Sequence, residues 1–166
     1  MIEILRLNHR ILRDKRVSSH VALTSRAFGA SKIWYSGQHD SNLEESIHKI
    51  VSKFGGPFDI EYLKDPIKLI KDKKKECYLI VHLTVYGKDF KTFKVKNENV
   101  LIIVGGEKVE PEFYELASYN LSVSNQPISE ISALGIFLYE FFGYKDFKDA
   151  KVKVIGQERG KLLKQL

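Results

Sequence analysis

Apolar residues recur along the chain in two alternating periods. Residues 1–7, Met-Ile-Glu-Ile-Leu-Arg-Leu, alternate as a strand. Across 17–30, Val21, Thr24, Ala27 and Phe28 fall at helical spacing, and Gly29 ends the helix. Residues 32–36 read as a short strand. Residues 42–54 place Leu43, Ile47, Ile50, Val51 and Phe54 on one stripe of a helix that Gly55-Gly56 stops. A strand over 58–63 follows, then a helix opened by Asp65 as cap and Pro66 at its first position. The β-branched run 78–84 is of the kind buried on both faces of a parallel sheet, and 100–104 is the next such strand. Residues 111–118 predict a helix, 120–124 a strand, 129–142 a helix ending at Gly143, and 151–155 a last strand before a basic tail. Strands alternating with helices predict an α/β sheet, largely parallel.

Three polar loops follow the buried strands, at 82–87, 105–109 and 124–130. Open α/β sheets bind ligands in the crevice at the carboxyl ends of their strands. Gly105-Gly106 lets backbone N–H groups approach a ligand closely. Pro127 stiffens the last loop, and Ser129 suits the N-cap of the helix after it. Taken singly, each loop also reads as a plain turn.

The helix 129–142 is apolar around most of its circumference, through Ile131, Ala133, Leu134, Ile136, Phe137, Leu138, Phe141 and Phe142. Such a helix is buried on more than one side. In so small a chain the second side is expected to be a partner subunit, the alternative being a core helix sandwiched within one chain.

The 166 residues predict one domain over 1–166, with the loop region at about 80–145 and the basic tail at about 151–166. With 43% apolar and 29% charged residues the chain is expected to be globular and soluble, and no apolar run approaches a membrane span. A single cysteine, Cys77, excludes an internal disulfide and a Cys-rich metal site, fits a reducing cytoplasm, and reads as a small core residue. The net charge of +6 is concentrated at the two ends, in Arg6, Arg10, Arg13, Lys15 and Arg16, and in Lys151, Lys153, Arg159, Lys161 and Lys164. This distribution points to a polyanion such as nucleic acid, or else to a solvated basic surface. No phosphate-loop, dinucleotide, zinc-protease or nucleophile-elbow motif is present, and the five histidines lack metal-ligand spacing, so no metal is expected. His20 and His82 sit near functional-looking segments but read first as structural hydrogen-bonding groups.

The run Arg13-Asp-Lys-Arg-Val-Ser-Ser-His-Val-Ala-Leu-Thr-Ser-Arg-Ala-Phe-Gly-Ala30 resembles the first motif of the archaeal tRNA ribose 2′-O-methyltransferases that modify cytidine 56, in the SPOUT superfamily. The blocks Leu5–Arg10, Gly55–Phe58, Val81–Gly87, Ile103–Val109, Tyr114–Asn120 and Asn125–Glu130 resemble the same family, in register from the first strand to residue 160. Broader SpoU-type enzymes carry Ser-Leu-Asn in the last loop. Ser129-Glu130-Ile131 stands there instead, so the role of that asparagine does not transfer.

The resemblance implies a SPOUT fold: a twisted, mostly parallel sheet flanked by helices, with a deep trefoil knot toward the C-terminus. It implies a homodimer, a tRNA substrate and S-adenosylmethionine held by Leu83, Thr84, Tyr86, Gly105, Gly106, Glu107, Lys108, Val109, Val123, Ser124, Asn125, Gln126, Pro127, Ile128, Ser129 and Glu130. It points to an arginine of the first motif beside the reacting methyl. Arg16 is the first choice, then Arg26, then Arg13, acting across the subunit interface. Glu107 is expected to accept hydrogen bonds from the cofactor or the arginine, and Ser129 to orient substrate or to cap its helix. Arg10, Arg13, Arg26, Arg159 and Lys161 are expected to hold tRNA. Tyr86 and Trp34 are candidate base-stacking residues, with packing the simpler reading for Trp34. The alternatives are methylation of another tRNA or rRNA nucleotide, and a catalytically silent RNA-binding dimer.

Overall fold

The computed structural model describes residues 1–94, 99–106 and 108–166. Its elements run β1 (Ile2–His9), α1 (Ile11–Ala27), β2 (Lys32–Gly37), α2 (Ser41–Phe54), β3 (Asp59–Tyr62), α3 (Pro66–Lys75), β4 (Leu79–Asp89), β5 (Val100–Val104), α4 (Pro111–Leu116), β6 (Tyr119–Ser122), α5 (Glu130–Phe142), β7 (Val152–Ile155) and β8 (Leu162–Gln165). The first six strands form one sheet in the order β3-β2-β1-β5-β4-β6, every pair parallel. The predicted α/β architecture is therefore present, with β1 and β5 at its centre.

The two-residue period of the strands divides the core between two faces. Ile4, Val100, Ile102 and Val104 point to the side covered by α1, α2 and α5, where Val21, Ala22, Ile47, Leu134, Phe137 and Leu138 meet them. Leu5, Leu7, Leu101 and Ile103 point to the other side, against Ile70 of α3 and Phe113 of α4. On that side Trp34 donates from its indole to Glu3 at 2.6 Å, with the Lys32 ammonium over its ring, so Trp34 is a packing residue. Burial pushes the Glu3 carboxyl up, but hydrogen bonds from Trp34, Lys73 and Tyr78 outweigh it and hold the group below the usual carboxylate range.

Four segments depart from the pattern reading. Helix α1 begins six residues before the predicted 17, because Ile11 and Leu12 of its first turn face solvent and hide the period. Segment 82–87 is not a plain loop: β4 runs on to Asp89 and pairs with β6 twice, Leu83 and Lys88 both opposite Leu121. Cys77 is exposed, in left-handed backbone at the end of α3, and so is not a core residue. The basic tail is folded, as an antiparallel β7–β8 hairpin anchored to the end of α2 by the Lys151 amide on the Lys53 carbonyl.

A buried polar network fixes the start of α2 against β1 and α1. His9 sits 2.8 Å from Ser18 Oγ through Nδ1 and 3.3 Å from Asp40 Oδ2 through Nε2, and all three residues are buried. Asp40 Oδ1 also accepts from the Asn42 and Leu43 amides at the helix N-terminus. Asp40→Ala leaves those donors without partners. It should destabilise the fold by about 2–4 kcal/mol in urea unfolding. A loss below about 0.5 kcal/mol, within the range of an ordinary surface substitution, would show that the network carries little.

Candidate active site

A cleft of about 510 Å³ opens where β5 and β6 end, beside residues 82–86 of β4. Leu83, Val104 and Leu121 give it apolar walls, Gly105 and Gly106 a bare backbone edge, and Glu130 and Ala133 of α5 its far side. The three loops singled out from sequence thus meet at one crevice, as the carboxyl-edge rule requires. Ser122 lines the cleft with its hydroxyl buried and without a hydrogen-bond partner among the described residues.

Arg6 holds two sides of this cleft together. The two-residue period of β1 puts it on the face of α5, and it is 1% exposed. Its Nη1 donates to the Gly105 carbonyl, and its Nη2 lies 3.4 Å from Glu130 Oε1. Burial pulls the guanidinium down from its usual range, opposed by the Glu130 and Asp14 carboxylates.

His82 is buried in the wall, edge-on to Tyr114. Asn120 donates through Nδ2 to the Tyr114 carbonyl at 2.9 Å, which turns its Oδ1 toward His82 Nδ1, also at 2.9 Å. The imidazole therefore carries its proton on Nδ1.

Residues 54–164 match the model of a family described as tRNA ribose 2′-O-methyltransferase, aTrm56. The tRNA (cytidine(56)-2′-O)-methyltransferase of Thermococcus kodakarensis is 45% identical over 177 residues, spanning 100% of this chain and 98% of that one. Its namesake from Methanocaldococcus jannaschii is 44% identical over 173 residues, with 98% and 96% covered. The chain belongs to this family. Among solved structures, the A. aeolicus TrmH/SpoU tRNA modifying enzyme superposes with a TM-score of 0.63 at 20% identity, over 84% of this chain and 72% of that one. The SpoU methyltransferase AviRb from Streptomyces viridochromogenes, in complex with AdoMet, gives a TM-score of 0.63 at 14% identity, over 84% and 56%. These two likenesses establish the fold of this methyltransferase family member.

Of the residues expected to hold a cofactor, Leu83, Thr84, Tyr86, Gly105, Gly106, Lys108, Val109, Val123, Ser124, Ile128 and Glu130 line the methyltransferase cleft. Asn125, Gln126, Pro127 and Ser129 do not. Asn125 instead donates to the Val85 and Gly87 carbonyls, at 2.6 and 3.2 Å, which ties its loop to the end of β4. Ser129 caps α5 by accepting from the Ile131 amide at 3.2 Å. Glu107 lies outside the described residues.

Arg16 is exposed on α1, and no described residue lining the cleft comes from α1. Arg26 is buried and committed: it donates to the Phe54 and Gly55 carbonyls at the end of α2 and stacks on Phe147. It is corrected from RNA contact, and from candidate catalytic arginine, to a structural brace. Pattern reading missed Arg6 and Ser122 as residues of the cleft, whereas His82 is the structural hydrogen-bonding group expected of it. For Arg6 the available signal was a charge between Leu5 and Leu7 in a strand.

Burial lowers the pKa of His82 from 6.5, its hydrogen bond with Asn120 working the other way. As pH falls, the unfolded chain takes up this proton before the folded one. The stability due to neutral His82 is thus complete above pH 6.5 and is lost below it, by up to about 1.4 kcal/mol per pH unit. His82→Gln removes the titration. The difference in unfolding free energy between the two proteins should change between about pH 7 and about pH 5, whereas a constant difference would show that His82 is not held neutral.

Proposed function

We propose that this protein transfers the methyl group of S-adenosylmethionine to the 2′-hydroxyl of cytidine 56 in the T loop of tRNA. The observation that carries the reading is a nucleoside-sized cleft at the carboxyl ends of β5 and β6, beside β4, in a chain whose full-length relatives are named for that reaction.

The residues present fit the cofactor. A cleft of about 510 Å³ lies within the usual range for such ligands. The Ser122 hydroxyl offers an unsatisfied buried partner. A Cβ on Gly105 would lie 2.5 Å from Val109 Cγ2, so a side chain there would have to displace Val109, which also lines the cleft. Bound S-adenosylmethionine supplies a methyl group already activated by its sulfonium.

The chain's own residues then have two tasks. The apolar walls and loop backbones hold the donor and exclude water, which aligns it with the ribose oxygen. Arg16 lowers the cost of negative charge on that oxygen as its proton departs, because a guanidinium stays charged and is a poor base. Since no described residue lining the cleft comes from α1, Arg16 reaches the hydroxyl from a partner subunit. A homodimer is supported by apolar side chains left exposed on α1 and α5: Leu12, fully exposed, Leu23, Ile136 and Tyr139. Arg10, Arg13, Arg159 and Lys161 remain as tRNA contacts.

The reading includes a deep trefoil knot. Its support is the return of residues 84–88 to Leu121, the Asn125 clasp on Val85 and Gly87, and the crossing of the chain after α5 to α1, where the Lys145 amide meets the Ala27 carbonyl at 3.2 Å. Among the described residues no helix is long and apolar enough to cross a membrane, and we place the enzyme in the cytoplasm with its tRNA.

Unmodified tRNA incubated with the protein and S-adenosylmethionine should gain a 2′-O-methyl group at cytidine 56, read by mapping. Arg16→Ala should abolish the transfer while calorimetry shows cofactor binding intact. Activity of this variant within about tenfold of wild type, about 1.4 kcal/mol in the barrier, would overturn the arginine's role. Gly105→Val should close the cleft and abolish cofactor binding in its own subunit. Mixing the two inactive variants under subunit exchange should restore activity if the arginine acts across the interface. A mixture that stays inactive despite exchange would place Arg16 and the cleft in the same subunit.

A further inference from the structure

A second cavity, of about 270 Å³, lies beside the cleft at the ends of β1 and β2. It is lined by Asn8, His9, Arg10, Gly37, Gln38 and Lys108, and Lys108 also lines the larger cleft. Its walls are fixed: the Gln38 amide donates to the His9 carbonyl at 2.8 Å, and His9 is locked by Ser18 and Asp40. Gly37 has φ +104, and a Cβ there would lie 2.4 Å from the His9 oxygen, so no side chain enters from that strand.

Two amide side chains in this cavity have their orientation set by fixed partners. Asn8, in left-handed backbone, donates from Nδ2 to the Lys108 carbonyl at 3.1 Å. A carbonyl only accepts, so Nδ2 must face it, and Oδ1 is left as an acceptor without a partner among the described residues. Gln38 accepts through Oε1 from the Ile11 amide at 2.8 Å. An amide N–H only donates, so Nε2 is left as a donor without a described partner.

One unpaired acceptor and one unpaired donor match the edge of cytosine, which presents an amino donor beside the ring-nitrogen and carbonyl acceptors. Uracil reverses donor and acceptor at the 4-substituent and N3 alone, so the two bases are told apart where the amino group and N3 are read. We propose that this cavity takes the base of the target nucleotide, with Asn8 Oδ1 accepting from the cytosine amino group and Gln38 Nε2 donating to its acceptor edge. The assignment rests on the methyltransferase reading and adds the base-recognition site to it. The shared Lys108 lets one nucleotide span the two cavities, with its base in the smaller and its ribose at the mouth of the larger. Arg10, already paired with Asp14 at 2.8 Å, brings positive charge to the rim beside the backbone phosphate. A base read on this edge has to be unpaired and turned out of its stack.

Gln38→Glu tests this with little structural change, because a carboxylate still accepts from Ile11 while the donor is lost. The measurement is kcat/KM on two tRNA transcripts, one with cytidine and one with uridine at the target position, with cofactor affinity determined alongside. The variant should lose about 10- to 100-fold on the cytidine transcript, lose less on the uridine transcript, and bind S-adenosylmethionine as wild type does. An unchanged cytidine-to-uridine ratio, with or without an equal fall on both transcripts, would overturn the base site and leave the methyltransferase reading standing. Failure of the wild-type protein to methylate either transcript, with cofactor bound, would overturn that reading and the base site with it.

Discussion

Arg6 places a charge at the centre of the sheet, where the chain has least access to water. Burying a guanidinium carries a desolvation cost of several kcal/mol that its partners must offset. Those partners are the Gly105 carbonyl, just past β5, and the Glu130 carboxylate at the first turn of α5. One side chain therefore ties the loop after the central strand to the helix that closes the cleft. The cleft has a defined width because these two segments, 25 residues apart in sequence, share one guanidinium. A neutral side chain of similar volume would fill the space without fixing that geometry.

The same design recurs at the end of the same strand. His9 ends β1 and draws Ser18 of α1 and Asp40 of α2 together, so the cavity walls behind Asn8 and Gln38 rest on helices rather than on free loops. Arg26 braces the far end of α1 against the carboxyl terminus of α2, where orphan carbonyls attract a cation. Three buried polar groups of α1 and β1 hold the frame. Burial separates the arginines into two kinds. Arg6 and Arg26 are spent on carbonyls of their own chain, and Arg16 faces outward.

Much of the fold was legible along the chain. The parallel sheet showed in the apolar runs at β4 and β5, and its helices in their stripes and caps, Asp65 and Ser129 among them. The cleft loops showed as Gly105-Gly106 and the segment before Ser129. What was not legible had a common cause, which is that the decisive partner lies far away in sequence. Arg26 looks like Arg16 on the page, and only the approach of Phe54 and Gly55 makes it a brace. Asn125 looks like a cofactor residue until Val85 and Gly87 claim its amide. Leu12 and Ile11 hid the start of α1 because their apolar faces point away from this chain's core.

The amino-acid order by itself determined the local terms: the periods of strand and helix, the caps, the glycine-rich edge after β5, and the charged ends. These depend on neighbours within a few residues, so a linear reading suffices. Tertiary structure alone decided which polar groups are consumed and which remain available. It buried Arg6 against Gly105 and Glu130, and turned Asn120 toward His82. It also left Ser122, Asn8 and Gln38 with polar atoms that have no partner among the described residues, around two adjoining cavities. Hydrogen-bond satisfaction is settled in three dimensions, because a donor is spent only when an acceptor from elsewhere in the chain comes within about 3 Å.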